Sequence, residues 1–257
     1  MKTVLKVAPL IGAAVVLASC TSIGEAPTEN QVMNPASEAS TEIVPSESEP
    51  WPYKDGELLS GTATPNFPEG EPDEVSVVQI GPLDGSRLLF AYRNNTDVGI
   101  SHIDWSATAR SGGKIVATGS SQGGTPAQVP PGGIGLAYIY FGFDTNLPSD
   151  AEYEFSENHL PADASSYNSA PFVITETTDV GGSIVGAAVN RTGSKVTGPY
   201  SVDVYCFDGD DLTSSTGTFT EQSGDLEDGG TVSFTADLYG EQCPTYLVGV
   251  SGWFNPS

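Results

Sequence analysis

The feature that most constrains this 257-residue sequence is an internal repeat of short apolar segments. Arg87-Leu-Leu-Phe-Ala-Tyr-Arg-Asn94-Asn-Thr96 corresponds to Ser183-Ile-Val-Gly-Ala-Ala-Val-Asn190-Arg-Thr192, at an offset of 96 residues. Further along, Val129-Pro-Pro-Gly-Gly133 corresponds to Leu226-Glu-Asp-Gly-Gly230, at an offset of 97. Self-similarity at a constant period indicates that one structural unit occurs twice, here a unit of roughly 85 residues.

Each repeat consists of runs in which apolar and polar residues alternate, separated by clusters of Gly, Asn, Asp and Pro. This two-residue period is typical of β-strands with one buried face, and the repeats show no helical period. We therefore predict an all-β fold. The expected strands are 75–80, 87–93, 102–109, 114–120, 135–141 and 151–155 in the first repeat, and 172–178, 183–190, 200–207, 212–220, 231–238 and 245–253 in the second.

The repeat also predicts how the chain divides. We expect two antiparallel β-sandwich domains, at 75–158 and 171–257, joined by an interdomain linker at 159–170. In the long strand of each domain, every second residue would face the opposing sheet. Trp105 would then fill the centre of the first core.

The first nineteen residues have the composition of a signal peptide. Lys2 and Lys6 give a positive start, and residues 7–19 form an uncharged, largely apolar run. A helix that spans a bilayer needs roughly twenty apolar residues, so this run is too short for a transmembrane anchor. We expect residues 1–19 to be removed on export.

Leu17-Ala18-Ser19-Cys20 follows this run and resembles the lipobox of bacterial lipoproteins, in which small residues precede a lipidated cysteine. The resemblance implies cleavage before Cys20 and attachment, through lipid on Cys20, to the extracytoplasmic face of a cell membrane. Two or more acyl chains make such an attachment stable, because one chain gives only marginal affinity. The alternative is cleavage by an ordinary signal peptidase, with Cys20 lost or free.

Residues 20–74 are rich in Pro, Ser, Thr and Glu, and contain twelve acidic residues against the single Lys54. A segment of this composition buries too little apolar surface to fold, so we predict a disordered acidic tether. Trp51-Pro52-Tyr53 and Phe67 are aromatic exceptions within it. They either dock on the folded part or remain exposed in the linker.

The charge of the chain bears on its partners. Removal of residues 1–19 takes away two of the nine Lys and Arg residues and none of the 33 Asp and Glu residues, which leaves a formal charge of −26. Phosphate would repel such a chain, so nucleic acid is not an expected partner. Anionic lipid headgroups would repel it as well, which helps to hold the protein away from the membrane that anchors it.

The cysteine count fits an exported protein. Once Cys20 is assigned to lipid, Cys206 and Cys243 remain as a natural disulfide pair in an oxidising compartment. A metal site is the weaker alternative, since these two distant cysteines have no histidine nearby.

The order of elements within the repeats is strand, Asn-x-Thr turn, long alternating strand, acidic glycine hairpin, strand, and an apolar-x-x-Gly turn before a further strand. This order resembles the FxLYD family of bacterial immunoglobulin-like domains. The second repeat matches through Val204-Tyr205-Cys206-Phe207-Asp208, whereas the first has Thr108-Ala109-Arg110-Ser111 there. The resemblance implies immunoglobulin-like antiparallel sandwiches that serve as binding or spacing modules, with no known chemistry.

Catalytic chemistry has few candidates. His102 and His159 are the two histidines, so a Ser-His-Asp arrangement has two possibilities. His159 falls in the expected interdomain stretch, and His102 begins a strand. The acidic residues of the repeats concentrate in predicted turns, which argues against a glycosidase pair. We therefore predict no catalytic site, no enzyme activity and no cofactor.

Asp208-Gly-Asp210-Asp211 is a weak candidate for a calcium site, because Ca²⁺ takes several carboxylate and carbonyl oxygens gathered by a turn. Acidic residues within 225–228 could add further ligands. The spacing does not match an EF-hand loop, since the twelfth position from Asp208 is Phe219 rather than Glu. A solvated hairpin turn is the favoured interpretation.

These observations lead to a hypothesis about function. We expect a membrane-anchored, surface-displayed lipoprotein that binds an envelope protein or a cell-wall polymer without catalysis. The alternative is a passive envelope spacer or structural protein. A calcium-binding module and an accessory to a cell-wall hydrolase are weaker alternatives.

Overall fold

The computed structural model describes residues 57–143, 145–165 and 168–255. Every regular element in these ranges is a β-strand, which confirms the all-β prediction. The same ranges contain no helix long and apolar enough to cross a membrane. The signal peptide, Cys20, Trp51-Pro52-Tyr53 and most of the predicted tether lie outside the described residues.

The strands closely follow the predicted ones, with three short additions. They are β1 Ser60–Gly61, β2 Val75–Asp84, β3 Arg87–Asn94, β4 Ile100–Ser111, β5 Lys114–Gln122, β6 Gln128–Val129, β7 Ile134–Tyr140, β8 Glu152–Pro161, β9 Ser169–Asp179, β10 Ser183–Asn190, β11 Val196–Asp208, β12 Asp211–Phe219, β13 Asp225–Leu226, β14 Thr231–Asp237 and β15 Thr245–Phe254. The additions β1, β6 and β13 have two residues each, too few for an alternating pattern to show.

The strands form two antiparallel sheets. One runs β2-β3-β7-β5-β4-β6, with β8 paired to β4. The other runs β12-β11-β15-β9-β10-β14, with β13 paired to β11 and β1 paired to β15. The first sheet is built from the first sequence repeat, and the second from the second repeat plus β1.

Strand pairing is repeated along with the sequence. In the first repeat β3 pairs with β2 and β7, while β4 pairs with β5, β6 and β8. In the second repeat β10 pairs with β9 and β14, while β11 pairs with β12, β13 and β15. The register matches too, since Ile100 opposite Val129 corresponds to Val196 opposite Leu226.

Each repeat has its own apolar core. In the first, the buried Trp105 packs edge-on against Phe90, with ring centroids 4.9 Å apart. In the second, the buried Phe172 packs edge-on against Tyr200 at 5.2 Å. The alternating residues predicted to face inward on β4 and β11 belong to these cores.

A buried asparagine fixes the same turn in both repeats. The Nδ2 group of Asn94 donates to Val98 O at 2.8 Å and to Val129 O at 3.0 Å, and its Oδ1 accepts from Thr96 N at 3.1 Å. Asn190 makes the corresponding bonds to Ser194 O at 2.8 Å, Leu226 O at 3.3 Å and Thr192 N. Both asparagines are fully buried. Each one therefore ties the turn after its strand to the segment that precedes the next paired strand.

The predicted tether ends earlier than residue 74, which corrects that boundary. Leu58, Ala63 and Phe67 are buried, and Ser60 pairs with Val248 of β15. The amides of Thr62 and Ala63 also donate to Tyr246 O, at 2.9 and 3.0 Å. Of the two alternatives for Phe67, docking on the folded part is the correct one. The segment escaped detection because it buries isolated side chains without a regular period.

A buried cluster joins the two repeats, and we call it the junction cluster. It consists of side chains from β3 and β7 of the first repeat, from β11, β12 and β15 of the second, and from the segment before β2: Leu89, Ala91, Leu136, Tyr205, Phe207, Leu212, Leu247, Ala63 and Phe67. β3 and β11 thus bury both faces, one in a repeat core and the other in the junction cluster.

The turn asparagine predicts a stability effect. Asn190→Ala removes two hydrogen bonds that a fully buried side chain donates and the one that it accepts from Thr192 N, so we expect a loss of about 3 kcal/mol in the free energy of unfolding. Asn190→Asp, which keeps the acceptor but loses the donor, should lose at least as much. Urea unfolding followed by tryptophan fluorescence measures both variants. Arg191→Ala, at the exposed neighbouring position, is the control. Equal stability of Asn190→Ala and the control would contradict the assigned role.

The docked segment predicts a second effect. Phe67 contacts Phe207 edge-on, with ring centroids 6.1 Å apart. Phe67→Ala should therefore lower the free energy of unfolding by about 3 kcal/mol and accelerate hydrogen exchange at the Thr62 and Ala63 amides. Phe143→Ala is the matched control, because that ring is 88% exposed. Unchanged exchange at Thr62 in Phe67→Ala would show that the ring does not hold this segment.

Candidate functional site

A cleft opens beside the junction cluster, between the loop after β5 and the outer face of β12-β11-β15. Its volume is about 320 Å³. The first repeat contributes residues 121–125, Ala127 and Tyr138, and the second contributes Ser201, Asp203, Phe219 and Trp253 among others. The cleft thus requires both repeats, and neither repeat alone would form it.

Strand register places an acidic residue between two glycines on the floor of the cleft. Asp203 of β11 lies opposite Gly217 of β12 and Gly249 of β15. Because glycine has no side chain, the carboxylate has no side-chain neighbour directly across either strand. At Gly249 a Cβ atom would overlap the methyl group of Thr125. The glycine therefore permits the loop of the first repeat to approach Asp203 closely.

Few groups near Asp203 offset the desolvation of its carboxylate. Thr125 Oγ1 donates a hydrogen bond to Asp203 Oδ2 at 3.3 Å. Burial raises the pKa of Asp203 to about 6, and the Thr125 hydrogen bond and the charge of Arg87 offset only part of that effect. The guanidinium of Arg87 is paired with Asp84 at 2.9 Å. Within the described ranges Asp203 makes no ion pair.

Hydroxyl groups and aromatic rings line the way to Asp203. Ser201 and Ser251 lie opposite each other, and their hydroxyl oxygens are 2.7 Å apart. Phe219 lies opposite Ser201 on the other neighbouring strand, and its ring is 63% exposed. Trp253, two residues beyond Ser251, is 41% exposed. The cleft therefore combines exposed aromatic rings, a hydroxyl pair and a part-buried carboxylate.

The two histidines lie on strands of the first repeat, and neither lines the cleft that contains Asp203. His159 lies within β8, not in a linker, and its Nδ1 is 2.8 Å from Glu157 Oε2. The predicted linker 159–170 is shorter than expected, since β8 extends to Pro161 and β9 begins at Ser169. His102 is exposed on β4, with a φ angle of +44° at an irregularity in the β4–β8 pairing.

A further sequence motif with possible catalytic meaning lies at the end of β5. Gly119-Ser120-Ser121-Gln122-Gly123 has the Gly-x-Ser-x-Gly spacing of a hydrolase nucleophile elbow. That motif requires a sharp turn from a strand into a helix. Here residues 119–122 lie within β5, and no helix follows in the described chain. The hydroxyl of Ser121 is buried without a hydrogen-bond partner.

The weak calcium candidates occupy a hairpin and do not meet the other acidic turn. Asp208 and Asp211 close the β11–β12 hairpin, and Asp210 Oδ1 accepts a hydrogen bond from Asn66 N at 2.8 Å. Asp225 pairs with Thr197 near the other end of β11, a separation on the order of 35 Å along the strand. Among the described residues, no group of three or more His, Cys, Asp or Glu side chains is arranged to hold a metal ion.

The predicted disulfide is confirmed. Cys206 and Cys243 are bonded, with Cα atoms 4.9 Å apart. Cys206 is buried near the end of β11, and Cys243 lies just before β15. The bond therefore ties the strand that carries Asp203 to the approach of its neighbouring strand.

Sequence reasoning did not single out Asp203, which is one of 33 acidic residues. An Asp within an alternating strand is itself a signal of a special position, because Asp is depleted in β-strands. The glycines that flank it are 14 and 46 residues further along the chain, so only strand register brings the three together.

Comparison with known proteins yields no family. No family model matches the chain, and no curated protein matches it. Among solved structures, the chain is similar to procruciferin, the 11S globulin of Brassica napus, with 9% identity, 78% of this chain and 85% of that chain covered, and a TM-score of 0.14. A likeness this low carries no argument about fold or function.

The raised pKa of Asp203 predicts a pH-dependent stability. A carboxyl group whose native pKa is raised from 3.8 to about 6 binds its proton more tightly in the folded state. Titration of Asp203 should therefore add about 2 kcal/mol to the stability of the native protein as pH falls from 7 to 4. Asp203→Asn should be more stable than the native protein at pH 8 by about 2 to 3 kcal/mol, and this difference should nearly vanish at pH 4.

Urea unfolding across this pH range tests the prediction, with Asp237→Asn as the control at an exposed carboxylate. A native protein and an Asp203→Asn variant that show the same pH profile would contradict it.

Proposed function

We propose that this chain is a lipid-anchored lipoprotein of the extracytoplasmic membrane face whose two repeats form a non-catalytic binding module. Its partner would be an envelope protein or a cell-wall polymer, and nucleic acid would be excluded by charge. The proposal combines the lipobox at Cys20 with the cleft at the junction of the repeats.

The anchoring part of the proposal rests on the sequence. The apolar run at 7–19 leads directly into Leu17-Ala18-Ser19-Cys20, and Thr21 follows. The remaining cysteines are occupied in the Cys206–Cys243 disulfide, which leaves Cys20 as the residue without a disulfide partner. A disulfide of this kind is typical of proteins outside the cytoplasm.

The fold part of the proposal is that each repeat is an immunoglobulin-like β-sandwich domain. In both repeats three strands pair on either side of an apolar core, as β2-β3-β7 and β5-β4-β8 in the first repeat. The second repeat has β9-β10-β14 and β12-β11-β15 in the corresponding places. The resemblance to FxLYD domains fits this arrangement, and such domains are binding or spacing modules.

The observation that carries the binding function is the part-buried Asp203 in the cleft, which makes no ion pair among the described residues. A desolvated carboxylate without an ion pair costs stability, and a chain with 33 acidic residues has many exposed places for one. Groups held at a cost to stability in a cleft are typical of functional sites. A nucleophile with an adjacent base does not occur among the described cleft residues, so we propose binding rather than catalysis.

A passive spacer is the second candidate, and the junction cluster favours it. The buried contact between the repeats, reinforced by Phe67, would make the pair of repeats a stiff unit. A spacer needs stiffness but no cleft, and Asp203 serves no purpose in it.

The proposal is tested by crosslinking on living cells, comparing the native protein with Cys20→Ala and with Asp203→Asn. We expect one abundant species to be captured by the native protein, lost in Cys20→Ala, and reduced in Asp203→Asn. Mass spectrometry identifies it. If the native protein captures nothing specific, the binding module is refuted and the spacer is favoured. Retention of the same capture in Cys20→Ala would refute the membrane anchor.

A further inference from the structure

The residues that line the cleft indicate which chemical group it would bind. Asp203 is the charged residue among the described residues that line it, and Thr125 donates a hydrogen bond to its carboxylate. A carboxylate is an acceptor only, so it is complemented by a donor or a cation. The charge of −24 on the whole chain also draws cations toward the protein.

The residues around Asp203 suit a ligand with an apolar chain next to its polar group. Ser201 and Phe219 lie two residues from Asp203 and Gly217 along their strands, a distance of about 7 Å. Rings at Phe219 and Trp253 offer apolar surface at the mouth, and the Ser201–Ser251 pair offers hydroxyl acceptors on the way in. A ligand in this cleft would therefore meet apolar rings, a pair of hydroxyl groups and one carboxylate.

We propose that the cleft binds the lysine side chain of an extended partner polypeptide, with Asp203 as the counter-ion. The four-carbon stem of lysine suits the exposed apolar surface of Phe219 and Trp253, and its ammonium group carries three donors. Asp203 and the hydroxyl oxygens of Ser201 and Ser251 supply acceptors for them. The inference rests on the proposed binding function and specifies the chemistry of the ligand.

The rim already shows one cation held against an aromatic ring. The guanidinium carbon of Arg87 lies 5.5 Å from the centroid of Tyr138, which lines the cleft. Arg87 is paired with Asp84 and makes no ion pair with Asp203, although its charge partly offsets the effect of burial on that carboxylate. Among the described residues no cation contacts Asp203 directly, so a cation from a partner could pair with it.

The experiment compares two probes that differ only in the ammonium group. Nα-acetyl-lysine N-methylamide and Nα-acetyl-norleucine N-methylamide are titrated against the full chain at pH 8, and binding is followed by saturation-transfer difference NMR. We expect the lysine probe to bind at least fivefold more tightly. Asp203→Asn should reduce this ratio to about one, whereas Asp237→Asn should leave it unchanged. Because Asp203→Asn is expected to be more stable, loss of folding does not confound the result.

Two results overturn the inference. Equal binding of the two probes by the native protein would refute an ammonium site, and so would a preference that persists in Asp203→Asn. n-Pentylamine supplies a further arm: if it binds tenfold more tightly than the lysine probe, the ligand is a free amine and not a polypeptide. Any of these results leaves the cellular capture experiment standing on its own, so failure of the lysine site is distinguishable from failure of the binding module.

Discussion

β11 is buried on both of its faces, and the position of the cleft depends on this. One face contributes Val202, Val204 and Cys206 to the core of the second repeat, and the other contributes Tyr205 and Phe207 to the junction cluster. Strands buried on both sides have no solvated face, so the first repeat must cover the second one there. Asp203 lies on the same face as Tyr205, at the edge of the covered area. Its carboxylate is therefore desolvated by the same packing that joins the repeats.

Much of the fold could be predicted from the sequence, because strands with one buried face show a two-residue alternation. The expected strands, the repeat and the disulfide all follow from such local patterns. The junction cluster could not be predicted in this way. Its members, such as Leu89 and Phe207, occupy positions that alternation assigns to the solvated face. The continuous apolar runs Leu88–Tyr92 and Val204–Phe207 are the sequence signals that both faces of these strands are buried.

The site was harder to predict than the fold, for a physical reason. Asp203, Gly217 and Gly249 become neighbours through strand register, and Thr125 joins them through packing between the repeats. No local pattern encodes either relation. The acidic hairpin around Asp210 is a metal-site candidate in the sequence because its carboxylates are adjacent along the chain. In the structure the Asp210 carboxylate accepts a hydrogen bond from the backbone amide of Asn66. The carboxylates that are adjacent in sequence lie in a turn, whereas the part-buried carboxylate of Asp203 lies within β11.

The pairing of β1 with β15 limits the order in which parts of the protein can fold. A chain emerges from synthesis with its N-terminal end first, so Thr62 is available long before Tyr246, its hydrogen-bond partner 184 residues later. The strands of the first repeat pair only among themselves, and they can do so while the second repeat is still being synthesised. The segment at 57–67 must wait for the last strand. Because Ser251 and Trp253 of β15 line the cleft, the site is complete only once the last strand has paired.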